Sequence, residues 1–434
     1  MNLNEETKKY GAKGAVLKYI QEKDSSIPIP PFLNVAVNDD WKKYQTEINN
    51  LGKNVLVRSS SPLEDGHKLS FAGLFATEKY WGKESVEKVF ESMKEEYVLD
   101  YIKNNNVTEE LKMGLVFQKE ANAQFNWGIL RHPHRPELFF VMGRPQSNQH
   151  TSLDYIYDEK KNELYEINDF SGLYCWRKEL ENIDLDRSYL EDLPEILKTY
   201  KKIEQMPEFK KTGYAYHMEF GTDPFSVYQF RPFKKKEIAN WDLKSLTLPE
   251  SDEENDYNET KYNICFGITP REGLEFTFVK ALCAHHKDKE INYAKEKLCG
   301  LPKEKGLKKL LKKMKYLNKY EKAYAEEILK LHPDSGGADA FDNAKSKLNV
   351  QFKDQDVCLF QEKMHFHYGK DIDLTFPDAK VWIPSGGLQF LSHDWFRAMQ
   401  HYDLVLAAYS EPFFETGDKV RIYSDGRTAD IRRA

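Results

Sequence analysis

Hydrophobic and polar positions follow a mixed pattern in the first half of the chain. From Lys13 to about Phe233, short apolar runs such as NVLVRS and SVYQF alternate with stretches of helical spacing such as SVEKVFESMKEEYVLDYI. Strand-like runs interleaved with amphipathic helical segments are typical of an α+β or α/β domain. We predict one α+β domain over residues 1–235.

The pattern changes in the second half. Residues 236–261 are polar and acidic with almost no apolar periodicity, which predicts a surface linker. Residues 262–345 are predicted to be mostly helical, with LKKLLKKMKYLNKYEKAYAEEILKLH as the longest element. Over residues 346–434 strand-like runs return (DVCLF, AKVWIP, YDLVLAAYS and DKVRIYSDGRTADI), with one helix at HDWFRAMQ. This segment predicts a compact C-terminal α/β domain.

Composition indicates a folded protein that acts away from membranes and nucleic acids. The 434 residues are 40% hydrophobic and 31% charged, with 64 Lys and Arg against 70 Asp and Glu. This near balance excludes a global basic field for nucleic acid or an anionic membrane, and no apolar run reaches the length of about 18 residues that a membrane span needs. The start lacks the apolar core of a signal peptide. Five widely spaced cysteines without a C-x-x-C pair agree with a cytoplasmic location.

The segment VLVRSSSPLEDGHKLSFAGLFAT, Val55 to Thr77, carries the first candidate chemistry. It begins as a strand and continues into a loop of small and hydroxyl residues, which include Ser59, Ser60 and Ser61. N–H and O–H donors of such a loop suit phosphate oxygens, and Gly73 permits close backbone approach. Arg58 adds a planar bidentate donor. By spacing alone, an ordinary surface turn explains the segment equally well.

Three sequence blocks stand in order in the first half of the chain. They are GAKGA with the following IPIPPFLNVAV, then VRSSSPLEDGHKLSFAG, then YAYHMEFGTDPFSVYQFRPF. The second block resembles the signature VRSS-x-x-x-ED-x-x-x-x-SFAG of the ATP-binding domain shared by phosphoenolpyruvate synthase, pyruvate phosphate dikinase and rifampin phosphotransferase. The other blocks resemble that family's lysine segment and its D-I-E-W and L-x-x-x-Q-x-R-P strands. The resemblance implies a two-lobed, ATP-grasp-like domain that binds ATP and Mg²⁺.

The resemblance also implies a role for each matched residue. Lys13 and Arg58 would contact the ATP phosphates, and Arg231 would lie beside them. Glu219 and Gln229 would hold Mg²⁺, a hard cation that prefers oxygen ligands. The run GTDPF between these two residues is expected to form a hairpin turn that sets both side chains beside one cleft.

Two further positions complete the comparison with the family. Gln118 in GLVFQKEAN would lie in the strand whose backbone meets the adenine, so it joins the expected nucleotide-binding residues. His217 stands where the family usually has the aspartate of D-I-E. The stretch GRPQSNQHTS stands where the family has G-L-G-E.

The segment AKVWIPSGGLQFLSHDWFRAMQHYDLVLAAY, followed by ETGDKVRIYSDGRTADI, resembles the mobile, swivelling phosphohistidine domain of the same family. His393 would be the relay histidine, because a neutral imidazole is a nucleophile near pH 7 and a helix N-terminus favours an anionic phosphoryl group. Here residues 388–391 separate Gly-Gly from Ser-His where the family has two residues, and Asp394 replaces a small residue. His393 is therefore either a working relay in a modified loop or an inactive remnant.

These features define three hypotheses. The first is an ATP- and Mg²⁺-dependent phosphotransferase of the dikinase type, which passes a phosphoryl group through His393 to a small-molecule acceptor and releases AMP and phosphate. Residues 262–345 would then form the substrate domain. The second is an ADP-forming kinase or ligase that transfers directly, without the histidine. The third is a catalytically degenerate ATP-binding module. The retention of all the residues expected to bind the phosphates and Mg²⁺ argues against this third hypothesis.

Overall fold

The computed structural model describes most of the first half of the chain and the strands of a sheet in the second half. The described residues are 2–64, 75–95, 98–99, 102–103, 107–145, 153–166, 192–210, 214–234, 259–262, 265–266, 269–282, 352, 355–362, 379–384, 402–406 and 414–434. They fall into two compact units, one that ends at Lys234 and one that begins at Glu259. Within these ranges, no helix is long and apolar enough to cross a membrane.

The first unit contains a four-stranded antiparallel sheet with the order β1-β4-β2-β3. Its strands are β1 (Phe32–Val35), β2 (Val55–Ser60), β3 (Thr77–Lys79) and β4 (Gly114–Lys119). On one face Val57 and Phe117 are fully buried, in the same core as apolar residues of two helices. These are α2 (Gln45–Asn50) and α3 (Lys83–Glu91), which adjoin the 3₁₀ turns Trp41–Tyr44 and Ser92–Lys94. Because side chains alternate along a strand, Arg58 points to the opposite face.

The first unit also contains a six-stranded antiparallel sheet with the order β10-β9-β5-β6-β7-β8. Its strands are β5 (Phe125–Arg131), β6 (Leu138–Pro145), β7 (Leu153–Asp158), β8 (Glu163–Glu166), β9 (Tyr214–Thr222) and β10 (Ser226–Lys234). Met218 and Phe220 of β9 enter a core that they share with α1 (Leu3–Lys23) and α4 (Leu193–Glu204). The residue between them, Glu219, therefore points away from that core.

The hairpin predicted at GTDPF is confirmed. β9 and β10 pair antiparallel across a turn at residues 223–225, with Gln229 opposite Glu219 and Arg231 opposite His217. Directly opposite residues of an antiparallel pair point to the same face of a sheet. The four polar side chains therefore lie together on the face that the core does not occupy. The two sheets with their helices confirm the predicted α+β class for this unit.

Helix α1 changes direction at Gly11, where the backbone has φ 77° and ψ 170°. A Cβ atom at this position would lie 1.9 Å from the carbonyl oxygen of Ser60, so only glycine allows the helix to approach the end of β2 so closely. Beyond this point the N–H of Ala12 donates to the Ser61 carbonyl (3.1 Å) and the N–H of Gly14 donates to Ser60 Oγ (3.0 Å). The end of β2 thus satisfies N–H groups at the start of the second helical segment.

Asp24, just after α1, forms an ion pair with Lys202 of α4 and accepts a hydrogen bond from the Ser26 hydroxyl (2.6 Å). The hydrogen bond from Lys202, followed by those from Ser26, lowers the pKa of Asp24 from 3.8 to about 2. Because the folded-state pKa is depressed, the stabilisation is present above the unfolded pKa and is lost as the pH falls towards 2.

We therefore expect Asp24→Asn to reduce the slope of the free energy of unfolding against pH below about pH 4. Urea titrations at stepped pH measure this slope, and Lys202→Met should change it in the same direction. If both variants show the same slope as the wild type, the ion pair does not contribute to stability as expected.

The second unit contains an eight-stranded mixed sheet with the order β11-β18-β17-β13-β14-β15-β16-β12. Its strands are β11 (Glu259–Tyr262), β12 (Cys265–Phe266), β13 (Leu274–Leu282), β14 (Val357–Glu362), β15 (Ala379–Pro384), β16 (Leu404–Leu406), β17 (Lys419–Ser424) and β18 (Ala429–Arg433). The strands from β13 to β16 are parallel, and Phe278, Cys358 and Val381 are fully buried in them. Strands are thus confirmed in all four C-terminal runs that the sequence predicts, whereas the helix predicted at HDWFRAMQ lies outside the described residues.

Two predictions for the middle of the chain are wrong where the structure describes them. β11 pairs with β18, so residues 259–261 form a sheet edge rather than the end of a linker. β12 and β13 lie in the range predicted to be helical. β13 pairs with β17 on one side and with β14 on the other, and its Phe276 and Phe278 are buried. This tertiary pairing outweighs the local helical spacing of the sequence. Apart from β11, β12, β13 and residues 269–273, residues 236–345 lie outside the described residues, and the domain boundaries there stay predictions.

Candidate functional site

Polar side chains from both sheets of the first unit meet on the faces turned away from the two cores. β2 and β4 contribute Arg58 and Gln118, while the β9–β10 hairpin contributes the other members. We call this set the polar cluster; it comprises Arg58, Gln118, His217, Glu219, Gln229 and Arg231. All but Glu219 are buried. In a water-poor environment hydrogen bonds and charges have larger effects than at the surface.

Arg58 joins the two sheets. Its Nη1 donates to Gln118 Oε1 (2.8 Å) and to the backbone carbonyl of Tyr228 (3.0 Å), and its Nη2 donates to Gln229 Oε1 (2.8 Å). A guanidinium only donates, so both glutamines turn their amide oxygens towards it. The Nε2 group of Gln118 then points elsewhere, and it is buried without a hydrogen-bond partner among the residues that the structure describes. This donor next to a cation suits an anionic or acceptor-rich ligand.

Arg231 is held by two residues of the neighbouring strand. Its Nη2 donates to Glu219 Oε1 (2.6 Å) and its Nε donates to His217 Nδ1 (3.0 Å). The side chain of Arg231 is only 6% exposed, whereas that of Glu219 is 29% exposed. The carboxylate is therefore the part of this group that solvent, and a ligand from solvent, can reach most readily.

Lys13 belongs to a second group at the end of β2. Its Nζ forms an ion pair with Glu64, and Ser59 Oγ lies 3.4 Å from it. Glu64 is fully buried and also accepts a hydrogen bond from the N–H of Ser61 (3.3 Å). Sequence reasoning missed Glu64 as a functional residue, although the ED pair of the VRSS motif contained the signal. Glu64 fixes the ammonium group of Lys13 where β2 ends.

The three predicted loop serines make contacts that stabilise the fold. Ser60 and Ser61 bind N–H groups of α1, Ser59 lies beside Lys13, and all three are fully buried. Their contact with phosphate stays a prediction. Gly73 and His393 lie outside the described residues, so their predicted roles rest on the sequence alone.

Glu219 and Gln229 form a donor set that fits Mg²⁺. They are directly opposite on paired strands, which separates their Cβ atoms by about 5 Å and puts both side chains side by side on one face of the sheet. Mg²⁺ usually takes one or two carboxylates together with phosphate oxygens and water, rather than a full protein cage. In the ranges described above, no group of three or more His, Cys, Asp or Glu residues could hold a metal. A site here thus depends on ligand oxygens for its remaining positions.

Part of the chain is similar to a known family of nucleotide-binding domains. Residues 5–131 match the family model for the AMP/ATP-binding domain of pyruvate phosphate dikinase. The match includes Lys13, Arg58 and Gln118 and ends at the last residue of β5, so it does not reach the β9–β10 hairpin. No curated protein sequence matches the chain.

Several solved structures show a weak similarity. Carboxyaminoimidazole ribonucleotide synthase from Aspergillus clavatus, complexed with ATP, is 9% identical over 51% of this chain and 44% of that one, with a TM-score of 0.27. D-alanine-D-alanine ligase from Coxiella burnetii is 9% identical over 53% and 49%, with a TM-score of 0.27. Acetyl-coenzyme A synthetase 1 from Ca. Korarchaeum cryptofilum is 11% identical over 51% and 92%, with a TM-score of 0.29. The chain spans less than half the length of the first two proteins.

Proposed function

We propose that residues 1–235 form an ATP-grasp-like domain that binds ATP and Mg²⁺, and that the protein is an ATP-dependent phosphotransferase. One observation carries the proposal. Arg58 of the four-stranded sheet and Arg231 of the six-stranded sheet are buried cations. They donate hydrogen bonds to the side-chain oxygens of Gln229 and Glu219, respectively. The match of residues 5–131 to an AMP/ATP-binding domain supports the same ligand.

The proposed roles follow from what phosphoryl transfer needs. The reaction requires little covalent chemistry from the protein; it requires cations and donors fixed around developing negative charge. The guanidinium of Arg58 and the ammonium of Lys13 bind phosphate oxygens, and the buried Nε2 of Gln118 donates to the nucleotide. Glu219 and Gln229 would hold Mg²⁺, which would supply positive charge against the negative charge of the phosphates.

Ligand binding then exchanges partners within the polar cluster. Without a ligand, Arg58 and Arg231 donate to Gln229 and Glu219, the two residues that we assign to Mg²⁺. A phosphate oxygen is a stronger acceptor for a guanidinium than a neutral amide is, because both partners are charged. A phosphate therefore draws Arg58 away from Gln229, whose amide oxygen would then be available to the cation. Glu219 would offer its second carboxylate oxygen to Mg²⁺ and keep its contact with Arg231.

For the second step, we propose that the phosphoryl group passes to His393 and then to a small-molecule acceptor. ATP, the acceptor and water give AMP, phosphate and the phosphorylated acceptor. The order of motifs in the C-terminal segment supports this route, as does the imidazole at the expected start of a helix. Nothing in the composition favours a nucleic acid or a membrane as a partner, and the cytoplasm is the expected compartment.

Direct transfer to the acceptor is the second candidate. The altered spacing at residues 388–391 and the acidic Asp394 beside the histidine favour it, because a carboxylate repels a phosphoryl group. This route bypasses His393 and releases ADP.

Nucleotide products separate the two routes. The purified full chain is incubated with ATP and Mg²⁺, with and without a pool of small metabolites, and AMP and ADP are resolved by ion-exchange chromatography. We expect AMP, and we expect His393→Ala to abolish both AMP release and acid-labile phosphate on the protein while ATP binding is retained. ADP release that His393→Ala leaves unchanged would contradict the relay, and ATP binding without any turnover would favour a binding module.

A further inference from the structure

We infer that His217 is a positioning residue, which holds the guanidinium of Arg231 in place through a neutral imidazole nitrogen. The two residues are directly opposite each other on β9 and β10, and Arg231 Nε donates to His217 Nδ1 at 3.0 Å. The side chain of His217 is 2% exposed and that of Arg231 is 6% exposed. The inference rests on the proposed function, in which Arg231 lies beside the phosphates.

The hydrogen bond determines the state of the imidazole ring. The guanidinium of arginine carries hydrogen on every nitrogen and cannot accept, so Nδ1 of His217 must present a lone pair. The ring hydrogen is then on Nε2, and the imidazole in this arrangement carries no charge.

Two contacts at different atoms fix the orientation of Arg231. Glu219 binds Nη2 and His217 binds Nε, so the planar group cannot turn about its long axis without losing one of them. Because bidentate recognition of phosphate depends on the direction of the guanidinium plane, a fixed plane lowers the entropy cost of binding.

The neutral acceptor also preserves the charge of the polar cluster. Arg58 and Arg231 contribute two positive charges, Glu219 contributes one negative charge, and the glutamines and the neutral imidazole contribute none. The six residues of the polar cluster together thus carry one net positive charge, which favours a polyanionic ligand. A second carboxylate at position 217 would cancel it, whereas histidine binds the same Nε atom without that loss.

A double-mutant cycle tests whether His217 acts through Arg231. ATP affinity is measured by isothermal titration calorimetry for the full-length wild type, His217→Leu, Arg231→Ala and the double variant. We expect His217→Leu to weaken ATP binding about tenfold and to have no further effect in the Arg231→Ala background. A residue that only supports the fold would instead give losses that add.

Two conservative variants keep the test independent of folding defects. His217→Asn places an amide oxygen near the position of Nδ1 and should retain most of the affinity for ATP. His217→Gln places its oxygen near the position of Nε2 and should bind ATP about as weakly as His217→Leu. Equal affinities of the Asn and Gln variants would overturn the inference, as would additive losses in the cycle.

The cycle also separates this inference from the proposed function. If Arg231→Ala binds ATP as the wild type does, the assignment of Arg231 to the phosphates is wrong. If Arg231→Ala weakens binding and His217→Leu does not, the phosphate assignment stands and the role of His217 is wrong. Thermal unfolding of each variant shows whether the fold is intact.

Discussion

Arg58→Ala is expected to weaken ATP binding by on the order of 100-fold and to abolish nucleotide turnover. Arg58 is the buried cation that joins the two sheets at the polar cluster. Truncating one partner of a buried, hydrogen-bonded charge pair costs about 2–5 kcal/mol, and about 1.4 kcal/mol corresponds to tenfold in affinity. Isothermal titration calorimetry with a non-hydrolysable ATP analogue measures the first effect, and chromatography of the products measures the second.

Two variants control for folding and for charge. Arg131 is a partly buried arginine of the same unit, and its Nε and Nη2 bind Glu204 at 2.9 and 2.7 Å rather than a residue of the polar cluster. Arg131→Ala should lower the unfolding temperature and keep the affinity for ATP. Arg58→Lys keeps the charge but cannot span both glutamines, so its affinity for ATP should lie between those of the wild type and Arg58→Ala. Equal ATP affinities of Arg58→Ala and Arg131→Ala would contradict the site.

Glu219→Gln is expected to lower Mg²⁺-dependent turnover by on the order of 100-fold. The substitution keeps the shape of the side chain and an oxygen for Arg231, and it removes the negative charge that a hard divalent cation prefers. The Mg²⁺ concentration for half-maximal turnover should therefore rise sharply. Turnover measured against Mg²⁺ concentration at saturating ATP gives both quantities.

Glu204→Gln is the matched control for this prediction. Glu204 is also a carboxylate paired with an arginine, Arg131, and it lies on α4 rather than on the hairpin. Its replacement should leave the Mg²⁺ dependence as in the wild type. A Glu219→Gln variant with unchanged Mg²⁺ dependence would rule out Glu219 as the metal ligand.

Local patterns in the sequence were sufficient to predict the strands and the hairpin that carry the site. β2 and β10 appear as apolar runs, and GTDPF ends one strand and begins the next, so the hairpin that pairs Glu219 with Gln229 could be predicted. Alternation along these strands also separates the buried face from the polar face. The motif resemblance then named most members of the polar cluster.

The contacts between those elements could not be predicted. Arg58 is 60 positions from Gln118 and 171 positions from Gln229 in the chain, and 51 positions separate Lys13 from Glu64. Such pairs form because two sheets fold against one helix, and no local periodicity encodes that event. The individual bonds of Arg58 and the role of Glu64 therefore emerged only from the structure.

Contacts between distant parts of the chain also explain why the helical prediction for residues 262–345 is wrong at β13. β13 pairs with β14 although residues 283–356 lie between the two strands, and on its other side it pairs with β17. Strand stability depends largely on such neighbours and on burial, whereas helical spacing is a local signal. The sequence between these strands shows strong helical periodicity, which led to the helical prediction for the whole of residues 262–345.

Equilibrium binding of a non-hydrolysable ATP analogue to the full chain, with and without Mg²⁺, tests the central claim most directly. The wild type should bind the analogue, and Mg²⁺ should strengthen binding. Arg58→Ala should lose affinity under both conditions, whereas Glu219→Gln should lose only the gain from Mg²⁺. Binding by both variants that equals the wild type, with the same response to Mg²⁺, would contradict an ATP and Mg²⁺ site at the polar cluster.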